Sequence, residues 1–202
     1  MFLALARWAF RQVLGIIIVI IGLVGLLIWL LKWVPLPPVA VVVSFFQGSL
    51  PKWSWSSQSE HPPYLRRGII WAETQKLRND SPSLAQRTAE LLFYPTGTPK
   101  WGSSLIGALL EYFWNEERIT TFYLNAIPYD KDTYGIKAAS LQLFSKVPSA
   151  LTQEEAAELI ARRHWPHLSK PLPPWLYSEY KRILHYLSQD SLHQHGTQTK
   201  NL

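Results

Sequence analysis

The chain has 202 residues, of which 48% are hydrophobic, and its formal net charge is +6. A chain of this length and composition can form one domain with its own core plus an additional segment. It contains no cysteine, which excludes disulfides and cysteine-ligated metal sites. Its basic charge and ten tryptophans suit either nucleic acid or an anionic membrane surface.

A long apolar run near the N-terminus favours the membrane. Residues 13–31 read VLGIIIVIIGLVGLLIWLL without a charge, and nineteen helical residues cross the hydrocarbon core of a bilayer. Arg7 and Arg11 precede the run, Lys32 and Trp33 follow it, and no small-residue cleavage pattern comes after it. We therefore predict a retained transmembrane helix with a cytoplasmic N-terminus, with membrane lipid and not nucleic acid as a partner. A buried core helix is the alternative.

Proline residues and a change in composition divide the rest of the chain. Pro35, Pro37 and Pro38 end the anchor helix. The predicted division is a cytoplasmic N-terminus and transmembrane helix at residues 1–34, a membrane-proximal connector at 35–63, a mainly α domain at 64–187 and a disordered polar tail at 188–202.

The connector leaves two alternatives open. Residues 39–46, VAVVVSFF, suit a short strand or an amphipathic segment resting on the membrane. Trp53 and Trp55 suit either lipid headgroups or ordinary packing.

Apolar spacing and capping residues predict helices throughout the domain. Thr152 and Glu155 form a capping box, and Asn115 is an N-cap followed by two glutamates. The predicted helices cover residues 64–79, Ser81–Pro82 to about Phe93, Thr98–Pro99 to about Trp114, a helix after Asn115, Thr152 to about Arg163, and residues 175–187.

The most specific pattern lies in residues 117–159, ERITTFYLNAIPYDKDTYGIKAASLQLFSKVPSALTQEEAAEL. It resembles the second half of the domain in monofunctional biosynthetic peptidoglycan transglycosylases, which are glycosyltransferase family 51. The matching residues are Ile119, Tyr123, Leu124, Asn125, Tyr134, Gly135, Ala138, Ala139, Phe144, Lys146, Leu151, Thr152, Glu155, Ala156 and Ala157. The resemblance implies a truncated, mostly helical, lysozyme-like domain on a single-pass anchor, in the periplasm and outside the bacterial inner membrane.

Members of that family join lipid-linked disaccharides into a glycan strand. The reaction needs a carboxylate base near the attacking sugar hydroxyl and cations near the departing lipid pyrophosphate. In the run GIIWAETQKLRND, Glu73 falls on the family's catalytic glutamate, while Thr74, Leu77 and Asp80 replace the Asp, Phe and His of its motif. The alternative for Glu73 is a solvated helix glutamate.

The candidate substrate-binding residues are Gln86, Arg87, Lys100, Arg118 and Asn125. Gln86, Lys100 and Asn125 match family motifs. Arg87 replaces a motif glutamine, and Arg118 is a cation close to the motif lysine replaced by Glu116. Other family positions have changed. Ser103 stands at the second important carboxylate, and Glu90 and Glu116 stand at motif lysines. About a dozen residues separate Glu73 from Gln86, where the family has a few tens that form a mobile lobe over the donor site.

The sequence predicts no metal and no cofactor. It has no glycine-rich phosphate loop, catalytic triad or nucleic-acid motif. His164 and His167 flank a proline without a carboxylate at ligand spacing, and His193 and His195 lie in the polar tail.

Three functional hypotheses follow. The motif losses favour a catalytically inactive domain that acts as a scaffold or binding subunit, with protein partners in a cell-envelope complex. The first alternative is a divergent active enzyme that polymerises lipid II with Glu73 as general base. The second is a protein that binds lipid II or a glycan strand without turnover.

Overall fold

The computed structural model describes residues 2–33, 36–74, 82–93, 100–165 and 171–198. The chain forms two compact units, residues 1–36 and 37–202. The first unit is a single helix, α1 (Phe2–Trp33), and its described apolar side chains, such as Ile21 and Trp29, are exposed. Among the described residues, no helix meets the length and hydropathy of a membrane span.

The second unit is mainly helical, which confirms the mainly α part of the predicted fold class. Its order is α2 (Val39–Phe46), β1 (Lys52–Trp53), α3 (Pro63–Thr74), α4 (Leu84–Phe93), α5 (Lys100–Phe113), α6 (Glu116–Ala126), β2 (Pro128–Asp130), β3 (Thr133–Tyr134), α7 (Ile136–Phe144), α8 (Gln153–Arg162) and α9 (Tyr177–Gln198). Single 3-10 turns occupy Gln58–Glu60, Pro148–Ala150 and Pro174–Leu176.

The core lies where α3, α6, α8 and α9 meet. Leu65 and Ile69 of α3 are fully buried there, together with Leu124, Ile160 and Leu187. Gly68 lets α3 approach its neighbours, because a Cβ at that position would lie 2.7 Å from Ile160 Cδ1 and 3.0 Å from Leu187 Cδ2. This packing fixes the C-terminal turn of α3, which carries Glu73.

Two capping predictions are confirmed. Asn115 Oδ1 accepts a hydrogen bond from the Arg118 amide at 2.9 Å and begins α6. Thr152 and Glu155 form the predicted capping box at the start of α8. Each cap satisfies amide groups in the first helical turn that otherwise lack a partner.

The start of α4 differs from the prediction. The helix begins at Leu84 behind a second box, in which the Ser83 amide donates to Gln86 Oε1 and the Gln86 amide donates to Ser83 Oγ. Ser83 therefore has the capping role that we predicted for Ser81. The predicted cap at Thr98 and Pro99 and the residues 75–80 of the first predicted helix lie outside the described residues.

One further prediction differs from the structure. The tail predicted to be disordered from residue 188 continues α9 to Gln198, because a polar segment without proline can extend a helix after its last core contact at Leu187.

Residues 39–46 form the helix α2, so the short strand, one of the two alternatives for this segment, is not formed.

A small sheet joins the connector to the segment after α6. Its order is β1–β3–β2, with β1 parallel and β2 antiparallel to β3. Trp53 Nε1 donates to the Asn125 carbonyl at 3.1 Å, and Trp55 packs edge-on against Phe122. Both tryptophans therefore have packing roles, which was one of the two alternatives for them.

Candidate functional site

Glu73 is the centre of a buried polar cluster. It lies in the last turn of α3, and its residue surface is 1% exposed. Its Oε1 accepts hydrogen bonds from Tyr123 Oη at 2.9 Å and Arg163 Nε at 2.5 Å. His164 Nε2 lies 3.0 Å from the same oxygen, and Arg87 Nε lies 3.0 Å from Oε2. Glu73 is therefore not the solvated helix glutamate that was the alternative at this position.

Arg163 holds the carboxylate from the C-terminal end of α8. Its Nη1 donates to the Ile160 carbonyl at 2.9 Å and to Glu179 Oε1 at 2.8 Å, and its Nη2 donates to the Ala72 carbonyl at 3.0 Å. The planar guanidinium makes these bonds with Glu73 in one fixed orientation. The buried arginine ties α3, α8 and α9 to one another.

The cluster keeps Glu73 ionised. Burial by itself would raise the pKa of the carboxyl, but the hydrogen bond from His164 and the charge of Arg163 outweigh burial and lower the pKa to about 2. Burial, together with the Glu73 charge, raises the pKa of Tyr123 well above its usual value, so its hydroxyl stays a donor. A carboxylate with so low a pKa is a weak proton acceptor at neutral pH.

A cavity of about 200 Å³ lies beside this cluster. Four of its described lining residues are the four that contact Glu73, namely Arg87, Tyr123, Arg163 and His164. Glu73 does not line the cavity itself. The four side chains that contact Glu73 therefore lie between its carboxylate and the cavity.

The remaining described lining comes from Glu90, Leu91 and Pro128. Glu90 Oε1 accepts a hydrogen bond from Ser103 Oγ at 3.1 Å. The sequence comparison predicts Ser103 at the position of the family's second carboxylate, and in the structure the carboxylate of Glu90 from α4 lies next to Ser103. Leu91 and Pro128 give the cavity an apolar part.

Of the predicted substrate-binding residues, Arg87 contacts the Glu73 carboxylate. Gln86 is engaged in the cap of α4, and its Nε2 donates to Ser104 Oγ at 2.6 Å. A Cβ at Gly107 would lie 2.8 Å from Gln86 Cα, so α4 and α5 cross closely at this point. Lys100 begins α5, and its side chain lies outside the described part of the structure.

Arg118 and Asn125 lie apart from the described cavity lining. The Arg118 guanidinium stacks 4.8 Å from the ring centroid of Trp114 and 5.3 Å from that of Phe122. Asn125 holds the connector: its Oδ1 accepts from the Ser56 amide at 2.7 Å, and its Nδ2 donates to the Ser56 carbonyl at 2.9 Å. Substrate-binding roles for both residues stay predictions.

The residues that surround Glu73 were not identified as its partners from the sequence. The sequence places Tyr123 in a family motif and His164 beside a proline, and neither pattern points to a contact with Glu73. Nothing in the local sequence points to Arg163, because it follows Glu73 by 90 positions. Within the described residues, no group of three or more His, Asp or Glu side chains could hold a metal ion.

Comparison with known proteins gives a consistent result. The profile of the family described as "Transglycosylase" matches residues 67–187. The biosynthetic peptidoglycan transglycosylase of Citrobacter koseri is 30% identical over 186 residues, which cover 75% of this chain and 77% of that protein. That of Cronobacter sakazakii is 29% identical over 194 residues, covering 80% and 79%. That of Marinomonas sp. (strain MWYL1) is 28% identical over 174 residues, covering 72% and 76%.

Proposed function

The chain belongs to the transglycosylase family, and from that premise we propose that it is a peptidoglycan glycosyltransferase-like protein that does not polymerise glycan. It acts as a scaffold or binding subunit of a cell-envelope complex. The ligands that this family membership implies are lipid II or a glycan strand.

The observation that supports this proposal best is the enclosure of Glu73. A general base must come within hydrogen-bond distance of the hydroxyl that it deprotonates. The Glu73 carboxylate is already bound by four side chains, those of Tyr123, Arg163, His164 and Arg87. These same side chains separate the carboxylate from the cavity. To reach the Glu73 carboxylate, a substrate hydroxyl would have to displace Arg163. The displaced guanidinium would then remain buried without its counter-charge.

Sequence changes at the family's motif positions support the same proposal. Glu90 and Glu116 place negative charges where the family has lysines, and Ser103 lacks the charge of the second carboxylate. Cations near the leaving pyrophosphate supply much of the rate acceleration in such a transfer. Replacing them by carboxylates removes that stabilisation and adds repulsion.

We propose further that the protein is attached to the bacterial inner membrane by a single pass, with the second unit in the periplasm. The uncharged run at residues 13–31 and the arginines before it support this location. Cell fractionation followed by carbonate extraction tests the attachment. Release of the full chain from membranes by carbonate would overturn it, as would protection of the second unit from protease in spheroplasts.

One observation favours the alternative of an active enzyme. Glu73 is ionised at neutral pH, which a general base requires, and Arg87 lies beside it as a candidate pyrophosphate ligand. In this case the cluster would have to open when substrate binds.

A lipid II polymerisation assay on the full chain in detergent separates these functions. The Citrobacter koseri relative is the positive control, and a fluorescent lipid II analogue measures binding in parallel. We expect no glycan strands from this chain under conditions in which the relative makes them. Strands made by the wild-type chain would overturn the proposal and establish the alternative of an active enzyme.

A further inference from the structure

The cavity beside Glu73 carries charges of both signs on one helix. Arg87 and Glu90 lie three residues apart on α4, and both line the cavity. Side chains at this spacing are neighbours on a helix surface and commonly pair. In the described part of the structure, however, Arg87 forms its ion pair with Glu73, and Glu90 accepts its hydrogen bond from Ser103.

This arrangement leaves both groups with unused bonding capacity. The contact of Arg87 with Glu73 is made through Nε, and among the described residues no hydrogen bond engages its two terminal amino groups. The Glu90 contact with Ser103 uses Oε1, and no described group contacts Oε2. A guanidinium offers paired donors to a carboxylate, and a carboxylate accepts hydrogen bonds from an ammonium group.

We propose that this cavity binds a small zwitterion, an amino acid or a dipeptide, with the ligand carboxylate on Arg87 and the ligand ammonium on Glu90. The cavity volume of about 200 Å³ corresponds to about seven water molecules at ~30 Å³ each, which suits a ligand of this size. Leu91 and Pro128 give the cavity an apolar surface, which suits a ligand with a small aliphatic side chain such as that of alanine.

The sign of the charge at Glu90 distinguishes this ligand from a pyrophosphate. A pyrophosphate on Arg87 would bring its negative charges close to the Glu90 carboxylate, and like charges in a partly buried cavity repel. An ammonium group at the same place is attracted. The inference deepens the proposed function, since it names a ligand class for the cavity of a protein that does not polymerise glycan.

Isothermal titration of the full chain in detergent micelles tests the inference with three probes: alanyl-alanine in its L,L and D,D forms, the corresponding N-acetylated dipeptide and sodium pyrophosphate. We expect the free dipeptide to bind, and N-acetylation to weaken binding about tenfold or more, because a hydrogen bond between charged groups is lost. This comparison changes only the ligand, so it does not depend on the folding of a variant.

Variants give an independent measurement. Glu90→Gln should weaken dipeptide binding about tenfold and strengthen pyrophosphate binding, because it removes the negative charge but keeps an amide of the same shape. Glu111→Gln is the matched control on the exposed surface of α5 and should change neither affinity. The unfolding temperature of each variant verifies that it is folded.

Three outcomes would overturn the inference: no dipeptide binding at 20 mM, tighter binding of pyrophosphate than of dipeptide by the wild type, or dipeptide affinity unchanged by both N-acetylation and Glu90→Gln. None of them alters the result of the polymerisation assay. Conversely, glycan synthesis would overturn the proposed function and leave the dipeptide measurement interpretable.

Discussion

The Tyr123 hydroxyl donates a hydrogen bond to Glu73 Oε1 at 2.9 Å across 50 positions of the chain. Tyr123 belongs to the YLN segment of α6, and Glu73, the predicted candidate base, lies in the last turn of α3. Both residues are almost completely buried. This hydrogen bond ties Glu73 into the buried structure of the second unit, so replacing or protonating Glu73 should lower the stability of the fold.

Replacing Glu73 by glutamine should destabilise the second unit strongly. The change leaves Arg163 buried without its main counter-ion, and breaking a buried ion pair in this way costs about 3–5 kcal/mol. For a chain of this size, thermal unfolding in detergent should shift downward by roughly 6 °C or more. Tyr123→Phe removes only one hydrogen bond and should cost about 1–2 kcal/mol. Equal unfolding temperatures for wild type and Glu73→Gln would contradict the buried cluster.

The stabilisation from Glu73 should depend on pH. The folded-state pKa of about 2 lies below the ordinary value of 4.5, so the contribution is complete above about pH 4.5 and is lost as the pH falls towards 2. The shift corresponds to about 3 kcal/mol. The difference in unfolding temperature between wild type and Glu73→Gln should therefore narrow between pH 5 and pH 3. A difference that stays constant over this range would show that the carboxyl is not held in its ionised form.

Asn125→Ala should loosen the attachment of the connector to α6 around Ser56. Asn125 bonds the Ser56 amide and hydroxyl through Oδ1 and the Ser56 carbonyl through Nδ2, so alanine leaves buried backbone groups unsatisfied. We expect a loss of about 3 kcal/mol and faster hydrogen exchange in peptides that cover residues 53–61. Asn115→Ala, which removes only a helix cap, should cost about 1 kcal/mol. Unchanged exchange around Ser56 in Asn125→Ala would refute the role of this side chain.

Gly135→Ala should be more harmful than its matched control Gly48→Ala. Both glycines have positive φ angles, +83° and +78°, which are strained for an alanine. The ψ angle of Gly135 is 154°, a combination that essentially only glycine adopts and that costs other residues about 1–3 kcal/mol. At Gly135 the new Cβ would also lie 2.8 Å from the Asn125 carbonyl oxygen, whereas no atom lies within 4 Å of a Cβ at Gly48. The difference between the two unfolding free energies, measured by denaturant titration, reports the clash together with the backbone conformation of Gly135. Equal losses would show that the backbone moves aside without cost.

The helical fold could be predicted largely from local sequence. The caps at Asn115 and Thr152 were identified because each bonds amide groups only three residues away. The small sheet was not predicted, since strands of two or three residues have too few positions to show an alternating pattern. The pairing of Lys52 with Thr133 also joins segments far apart in the chain.

The sequence by itself determined the family and the mainly helical domain, and it predicted Glu73 as the candidate base. The tertiary structure alone decided what that residue can do. The pKa of a carboxyl depends on desolvation and on the charges and hydrogen bonds within a few ångströms, and here Arg87 comes from α4 while Arg163 and His164 follow α8. No local pattern records such contacts. The packing of α4 and α8 against α3 therefore places a candidate base in a buried ion pair.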